Sequence, residues 1–139
     1  MEKYLLGHSV LSTVQEEQKG TAHALLTAEG LVNDGDVLVL YGDVPLIKPE
    51  TLESFVGSFN KHRAITFMTT DLDDPSGYGR VIVERGAITA IIEHHEATPE
   101  QKLIRTINTG ICLVPQEHFR LLKEIDNNNK KGEFYLTDI

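Results

Sequence analysis

Val37-Leu38-Val39-Leu40-Tyr41-Gly42-Asp43-Val44-Pro45-Leu46-Ile47 is the stretch that decides how this chain is read. Its opening run of branched aliphatic residues predicts a strand buried on both faces, as in a parallel sheet. Gly42 then breaks the strand, and Pro45, which has no backbone N–H to donate, keeps it from resuming. Asp43 is thereby left at the carboxyl end of a predicted central strand, where open α/β sheets bind their ligands. A carboxylate there is well placed to hold a divalent metal against a phosphate. The same residue in a strand-to-loop turn is also an ordinary turn former. The rest of the chain has to decide between the two.

The chain has 139 residues, enough for one domain with a real core or for part of a larger one. A hydrophobic share of 40% is that of a soluble globular protein. The formal charge of -8 argues against nucleic acid or an anionic membrane as partner, because both need a basic face. An anionic nucleotide would still bind, given local cations or a metal. Cys112 is the single cysteine, so no internal disulfide forms within the chain. It lies in Ile111-Cys112-Leu113-Val114, where it reads as a small apolar filler of a buried strand. No basic residue adjoins it in sequence to activate a thiolate. No apolar run approaches the roughly 20 residues that span a bilayer. Residues 1–8 lack the apolar stretch of a signal peptide, so the cytoplasm is the expected compartment.

Strand-like runs alternate with helical patterns, the βαβ signature of an α/β fold. Residues 12–15 read as a short strand and residues 21–31 as a helix with Leu25, Leu26 and Ala28 inward. After the buried strand at 36–41, a helix is expected over 49–60. Pro49 occupies its first turn, and Leu52, Phe55, Val56 and Phe59 recur at three- and four-residue spacing. Residues 64–70 are strand-like. Residues 80–84 and 87–93 flank Arg85-Gly86, which predicts a hairpin. Thr98 caps a short polar helix with Pro99 at its first position. A strand at 111–114 and a helix at 116–125 follow, running into the polar tract 126–132. Little sheet precedes Ser12 and an apolar pattern is just starting at Tyr135, so the chain reads as a piece of something longer.

Several local features carry chemistry. Gln15 and Gln18-Lys19-Gly20-Thr21-Ala22-His23-Ala24 place a glycine and a hydroxyl where a helix begins. Free amides there suit an anion or a carbonyl-rich base, with Gly20 allowing close approach. An ordinary helix start capped by Thr21 has the same residues. The loop at 71–80 sets two glycines around Tyr78 and offers unobstructed backbone amides, as does a plain solvated turn. Glu93-His94-His95-Glu96 resembles a metal site, but adjacent histidines diverge along a strand and no third ligand is suitably spaced. Glu93 as an acceptor for a sugar hydroxyl is the better reading. Asn108-Thr109-Gly110, just before a strand, supplies an amide that both donates and accepts toward a sugar, or else a simple turn.

Taken together, six motifs in order resemble the sugar-nucleotide pyrophosphorylases, and in particular the uridyltransferase domain of the bifunctional bacterial enzymes that make UDP-N-acetylglucosamine. They are Gln-x-x-x-x-Gly-Thr (15–21), Tyr-Gly-Asp-Val-Pro-Leu-Ile (41–47), Asp-Asp-Pro-x-Gly-Tyr-Gly-Arg (73–80), Ile-x-Glu-His (91–94), Ile-Asn-Thr-Gly-Ile (107–111) and Asn-Asn-Asn-x-x-Gly-Glu-x-Tyr-x-Thr-Asp-Ile (127–139). The likeness runs from about Ser9 to Ile139. It implies a Rossmann-like nucleotide-diphospho-sugar transferase fold with a mixed, mostly parallel sheet, in which residues 1–139 form part of a nucleotidyltransferase domain. The implied reaction joins N-acetylglucosamine 1-phosphate to UTP with Mg²⁺, giving UDP-N-acetylglucosamine and pyrophosphate. By the matched motifs, Gln15, Gly20 and Thr21 hold the uracil, Asp43 binds the metal, and Tyr41 and Gly42 shape the site. Gly79, Glu93, Asn108 and Thr109 surround the sugar.

The resemblance also has departures. The first strand and Gly-rich loop that grip the triphosphate in the family have no counterpart here. The second metal-binding asparagine and the trimerising acetyltransferase domain lie beyond the matching end. The isolated chain is therefore expected to be an impaired, self-associating enzyme. A pyrophosphorylase for another hexose 1-phosphate, a non-catalytic nucleotide-sugar-binding module and one half of a split enzyme are the alternatives.

Overall fold

In the computed structural model, residues 10–32 and 35–139 are described. Among the described residues the first element is α1 (Thr21–Thr27), followed by β1 (Val37–Val39), α2 (Pro49–His62) and β2 (Thr66–Asp71). A hairpin of β3 (Arg80–Glu84) and β4 (Ala87–Ile92) precedes the long β5 (Thr106–Val114). The five strands make one sheet.

Every strand pair described is antiparallel, which corrects the expectation of mostly parallel ladders. The cause is an insertion in space. β1 and β2 both run opposite to β5, so they run the same way as each other and α2 joins them as a βαβ crossover would. β5 lies between them, however, with Val39 and Phe67 both paired to Cys112 from its two edges. Alternation of elements along the chain reported strand direction correctly and strand neighbours wrongly.

Burial follows the same geometry. Ile111, Cys112, Leu113 and Val114 of β5 are buried, whereas Val37, Leu38 and Val39 are only half-buried and Leu40 is exposed. β1 stands at the end of the strand order, so the predicted central strand is β5 instead. Ala22 of α1 packs on Cys112 and Val114 together with Phe119, Leu122, Ile125 and Leu136. This cluster of aliphatic and aromatic side chains is the core. Each fully buried side chain of this kind is worth about 1.5–3 kcal/mol.

The local elements adjust the predicted boundaries. Residues 12–15 form no strand; Leu11 and Val14 are exposed, so the segment has no face to bury. Helix 21–31 shortens to α1 and then tightens to a 3-10 turn at Glu29–Leu31. α2 runs on to His62 and stops at Arg63, which adopts φ 51 and returns its N–H to the Phe59 carbonyl. Arg63 also grips Asp36 through two hydrogen bonds of 2.5 and 3.2 Å, tying the helix end to the base of β1. The hairpin forms as expected, with Arg85 at φ 52 and Gly86 at φ 84, the pair of positive angles that a two-residue type I′ turn requires. Thr98 and Gln101 cap one another's amides at 2.8 and 3.3 Å, but the turn they start is 3-10. Residues 116–123 are likewise 3-10.

Candidate functional site

A cavity of about 310 Å³ opens where the turn after β1, the loop before β3, the end of β4 and the middle of β5 meet. Tyr41, Asp43, Gly79, Glu93, Asn108 and Thr109 all line it. Residues far apart in the sequence are thus gathered by the sheet on one side of β5. Gly42 lies in the same turn without lining the cavity.

The Val44 amide donates to the Tyr41 carbonyl at 3.3 Å, closing the turn that carries Asp43. Asp43 is a turn residue, and its exposed carboxylate sits on the cavity wall. The Tyr41 ring lies flat against Gly110. A Cβ there would come within 2.5 Å of Tyr41 Cε2, and Gly110 already has φ +84, so space and backbone both demand glycine. Burial raises the Tyr41 phenol above its usual range, and Cys112, Glu93 and Asp43 push the same way. The phenol therefore stays a neutral donor at physiological pH.

Gly79 is closely walled. A Cβ would lie 3.2 Å from Ile91 Cγ2 and 3.5 Å from Glu93 Oε1. Its carbonyl accepts the Asn108 amide at 2.9 Å, locking the loop to β5. Asn108 Oδ1 accepts from the Gly110 N–H at 3.0 Å. Thr109 lines the cavity with its hydroxyl already engaged. Its hydroxyl donates to the Met68 carbonyl at 2.7 Å and accepts from the Ile111 amide at 3.3 Å, so it serves the sheet.

Gln15, Gly20 and Thr21 stand outside this cavity, at the start of α1. Gln15 Nε2 donates to the Gly20 carbonyl at 3.1 Å and meets His23 Nδ1 at 2.9 Å. The amides expected to be free are partly engaged. Phe134 N–H donates to the Lys19 carbonyl at 2.7 Å, and the Ala22 amide donates to the Phe134 carbonyl at 3.0 Å. A Cβ on Gly20 would meet Phe134 N at 2.7 Å, so this glycine serves close backbone packing. Thr21 Oγ1 caps no helix amide; it accepts the Leu136 N–H at 2.9 Å.

Two residues of the quoted motifs were given no role by the sequence and have one in the structure. Thr137 Oγ1 meets Glu93 Oε1 at 3.5 Å, joining the C-terminal segment to the cavity wall. Arg80 is fully buried beneath the Tyr78-Gly79 loop and donates to the Tyr78 carbonyl. The signal for Arg80 was a cation directly preceding the apolar run Val81-Ile82-Val83. His94 and His95 lie in a turn after β4 and face different partners, Arg80 and Tyr135.

A second cavity, about 530 Å³, lies against the C-terminal segment and is lined by Glu93, Glu96, Glu124, Asp126 and Asp138. So many carboxylates repel a phosphate-bearing ligand, so the smaller cavity, which gathers Tyr41, Asp43, Gly79 and Asn108, is the better candidate of the two. Among the described residues no three His, Cys, Asp or Glu side chains converge as a dedicated metal cage. Asp43 and Glu93 are the carboxylates on the wall of the smaller cavity, and magnesium binds elsewhere through as few as one or two carboxylates together with phosphates and water.

Residues 2–139 match the Nucleotidyl transferase family. The chain belongs to that family. It is 46% identical over 134 residues to the Bifunctional protein GlmU of Desulfotalea psychrophila, covering 91% of this chain and 39% of that protein. The Bifunctional protein GlmU of Marinobacter nauticus is also 46% identical over 134 residues, covering 94% of this chain and 29% of the relative. The chain thus spans well under half the length of these relatives. Among solved structures, UDP-glucose pyrophosphorylase complexed with UDP-glucose superimposes with a TM-score of 0.74 at 22% identity, over 91% of this chain and 51% of that one. The apo form of a UDP-glucose pyrophosphorylase gives 0.73 at 22% identity, over 98% and 53%. The nucleotidyltransferase fold is therefore this chain's fold, with the antiparallel pairings described above.

Proposed function

We propose that these residues are the sugar-binding part of a uridyltransferase that forms UDP-N-acetylglucosamine and pyrophosphate from UTP and N-acetylglucosamine 1-phosphate. The observation that carries the reading is the convergence of Asp43, Glu93 and Asn108 on one cavity, in a chain 46% identical to a GlmU protein. Asp43 holds Mg²⁺, which when bound neutralises charge on the phosphoryl oxygens. Glu93 accepts from a sugar hydroxyl, and Asn108 donates through Nδ2 while its Oδ1 keeps the β5 turn. Gly79 lets the sugar lie close to the backbone. Tyr41 and Gly42 shape the wall between sugar and nucleotide. Gln15, Gly20 and Thr21 form the uracil side, with Thr109 as part of the sheet behind the sugar. Acceleration comes from aligning two anions and offsetting their charge, with no covalent step on the protein. Residues 1–139 form part of a cytoplasmic nucleotidyltransferase domain, and full-length assemblies of this kind are trimers.

The test is an amide NMR titration of the ¹⁵N-labelled chain with UDP-N-acetylglucosamine, with and without Mg²⁺. Shifts at Gly79, Asn108 and Tyr41 are expected, larger with the metal. Asp43→Asn removes the magnesium dependence and leaves the fold. Losing one charge-assisted contact weakens binding by roughly 1.5–3 kcal/mol. Unchanged magnesium dependence in that variant refutes Asp43 as the ligand.

A further inference from the structure

Arg80 is 1% exposed, yet none of the ion pairs among the described residues involves it. A guanidinium cannot escape its charge by deprotonation, so burial without a carboxylate is costly. Its hydrogen-bond partners are the Tyr78 carbonyl, the Lys102 carbonyl at 3.4 Å and His94 Nδ1 at 3.4 Å, and the Asp74 carboxylate feels its charge only from the solvent-exposed surface. Its Nε has no partner at all. An apolar side chain of the same volume would fill this space without desolvating a charge. The cation must therefore be explained by what it holds.

What it holds is one peptide plane. In a trans peptide the C=O and the following N–H point in opposite directions. Drawing the Tyr78 carbonyl down to a buried guanidinium turns the Gly79 N–H the other way, and Gly79 lines the cavity. No backbone acceptor is found for that N–H among the described residues, whereas the Tyr78 and Asn108 amides beside it are both engaged. Resting on the sugar-site reading above, we infer that Arg80 is a positioning residue: it aims the Gly79 amide into the cavity as a hydrogen-bond donor to the sugar half of a nucleotide sugar. The buried positive charge behind the same peptide also strengthens that donor. Arg80 itself touches no ligand.

The experiment compares the affinities of UDP and UDP-N-acetylglucosamine for the full chain and for Arg80→Met and Arg80→Lys, by the same NMR titration. In the unmodified chain the nucleotide sugar binds more tightly than UDP. Arg80→Met, close in volume and uncharged, leaves UDP affinity within twofold and lowers that of the nucleotide sugar about tenfold, with the Gly79 amide no longer shifting. Arg80→Lys, which reaches only one carbonyl, lowers the nucleotide sugar's affinity by an intermediate factor. It carries the test if the methionine variant does not fold. Retention of full discrimination in a folded variant overturns the role of Arg80 alone. Equal loss for both ligands makes the residue a general support of the fold and overturns it too. A native chain that binds the two ligands equally overturns the sugar site, and this role with it.

Discussion

At the scale of single residues, the glycines and hydroxyls around the cavity divide into those that serve the ligand and those that serve the sheet. Gly110 faces the Tyr41 ring at positive φ. Gly110→Ala is expected to cost about 1–3 kcal/mol, through overpacking and backbone strain together, read as a lower urea midpoint. Thr109 has its hydroxyl bonded within the sheet. Thr109→Val should therefore cost stability, by about 1 kcal/mol, and leave UDP-N-acetylglucosamine affinity nearly intact. Asn108→Ala should do more damage to affinity than Thr109→Val. The reverse order in a titration would mean the two roles are exchanged. The motif Asn-Thr-Gly singled out residues that line the cavity. It did not say which of its side chains was already occupied, because Met68 reaches Thr109 only once β2 has paired with β5.

Elements were legible where their signals are local. Pro49 and the three- and four-residue spacing placed α2, and Arg85-Gly86 placed the hairpin, since turn chemistry lies within a few adjacent residues. Gly86→Ala puts a side chain at φ 84 and should destabilise the hairpin by about 1 kcal/mol. Faster amide exchange confined to β3 and β4 would show it. The junction of α1 with the C-terminal segment was not legible. Phe134 and Leu136 bond to Lys19, Ala22 and Thr21 across nearly the whole chain. Gly20→Ala has no room beside Phe134, so the Ala22 and Leu136 amides should lose protection together in hydrogen exchange. Loss at only one of them would show that the two segments are not zipped as a unit.

For the whole molecule, the alkaline limb of stability should report how the core is built. Burial pushes the Cys112 thiol up to about 12, far above its unfolded value, and the Tyr41 phenol is raised in the same direction. A folded pKa above the unfolded one means the contribution is complete below the unfolded value and is lost as pH rises through the folded one. Stability is therefore flat with respect to Cys112 up to about pH 8.5 and then falls by roughly 1.4 kcal/mol per pH unit. Urea midpoints at pH 8 and pH 10.5 measure the fall. Native Cys112 should also resist iodoacetamide until the chain unfolds, and alkylation at the rate of a free thiol would contradict its burial. Composition and turn signals determined by themselves that the chain has an α/β fold, a buried Cys112 strand and one hairpin, and the order of its motifs carried a resemblance that placed it among nucleotidyl transferases. They also set the common direction of β1 and β2. Only the tertiary structure decided that β5 lies between those strands, that Thr109 belongs to the sheet and that Arg80 lies under Gly79. Periodicity and turn chemistry act between neighbouring residues. Strand pairing and the burial of a charge depend instead on which distant segments close onto one another.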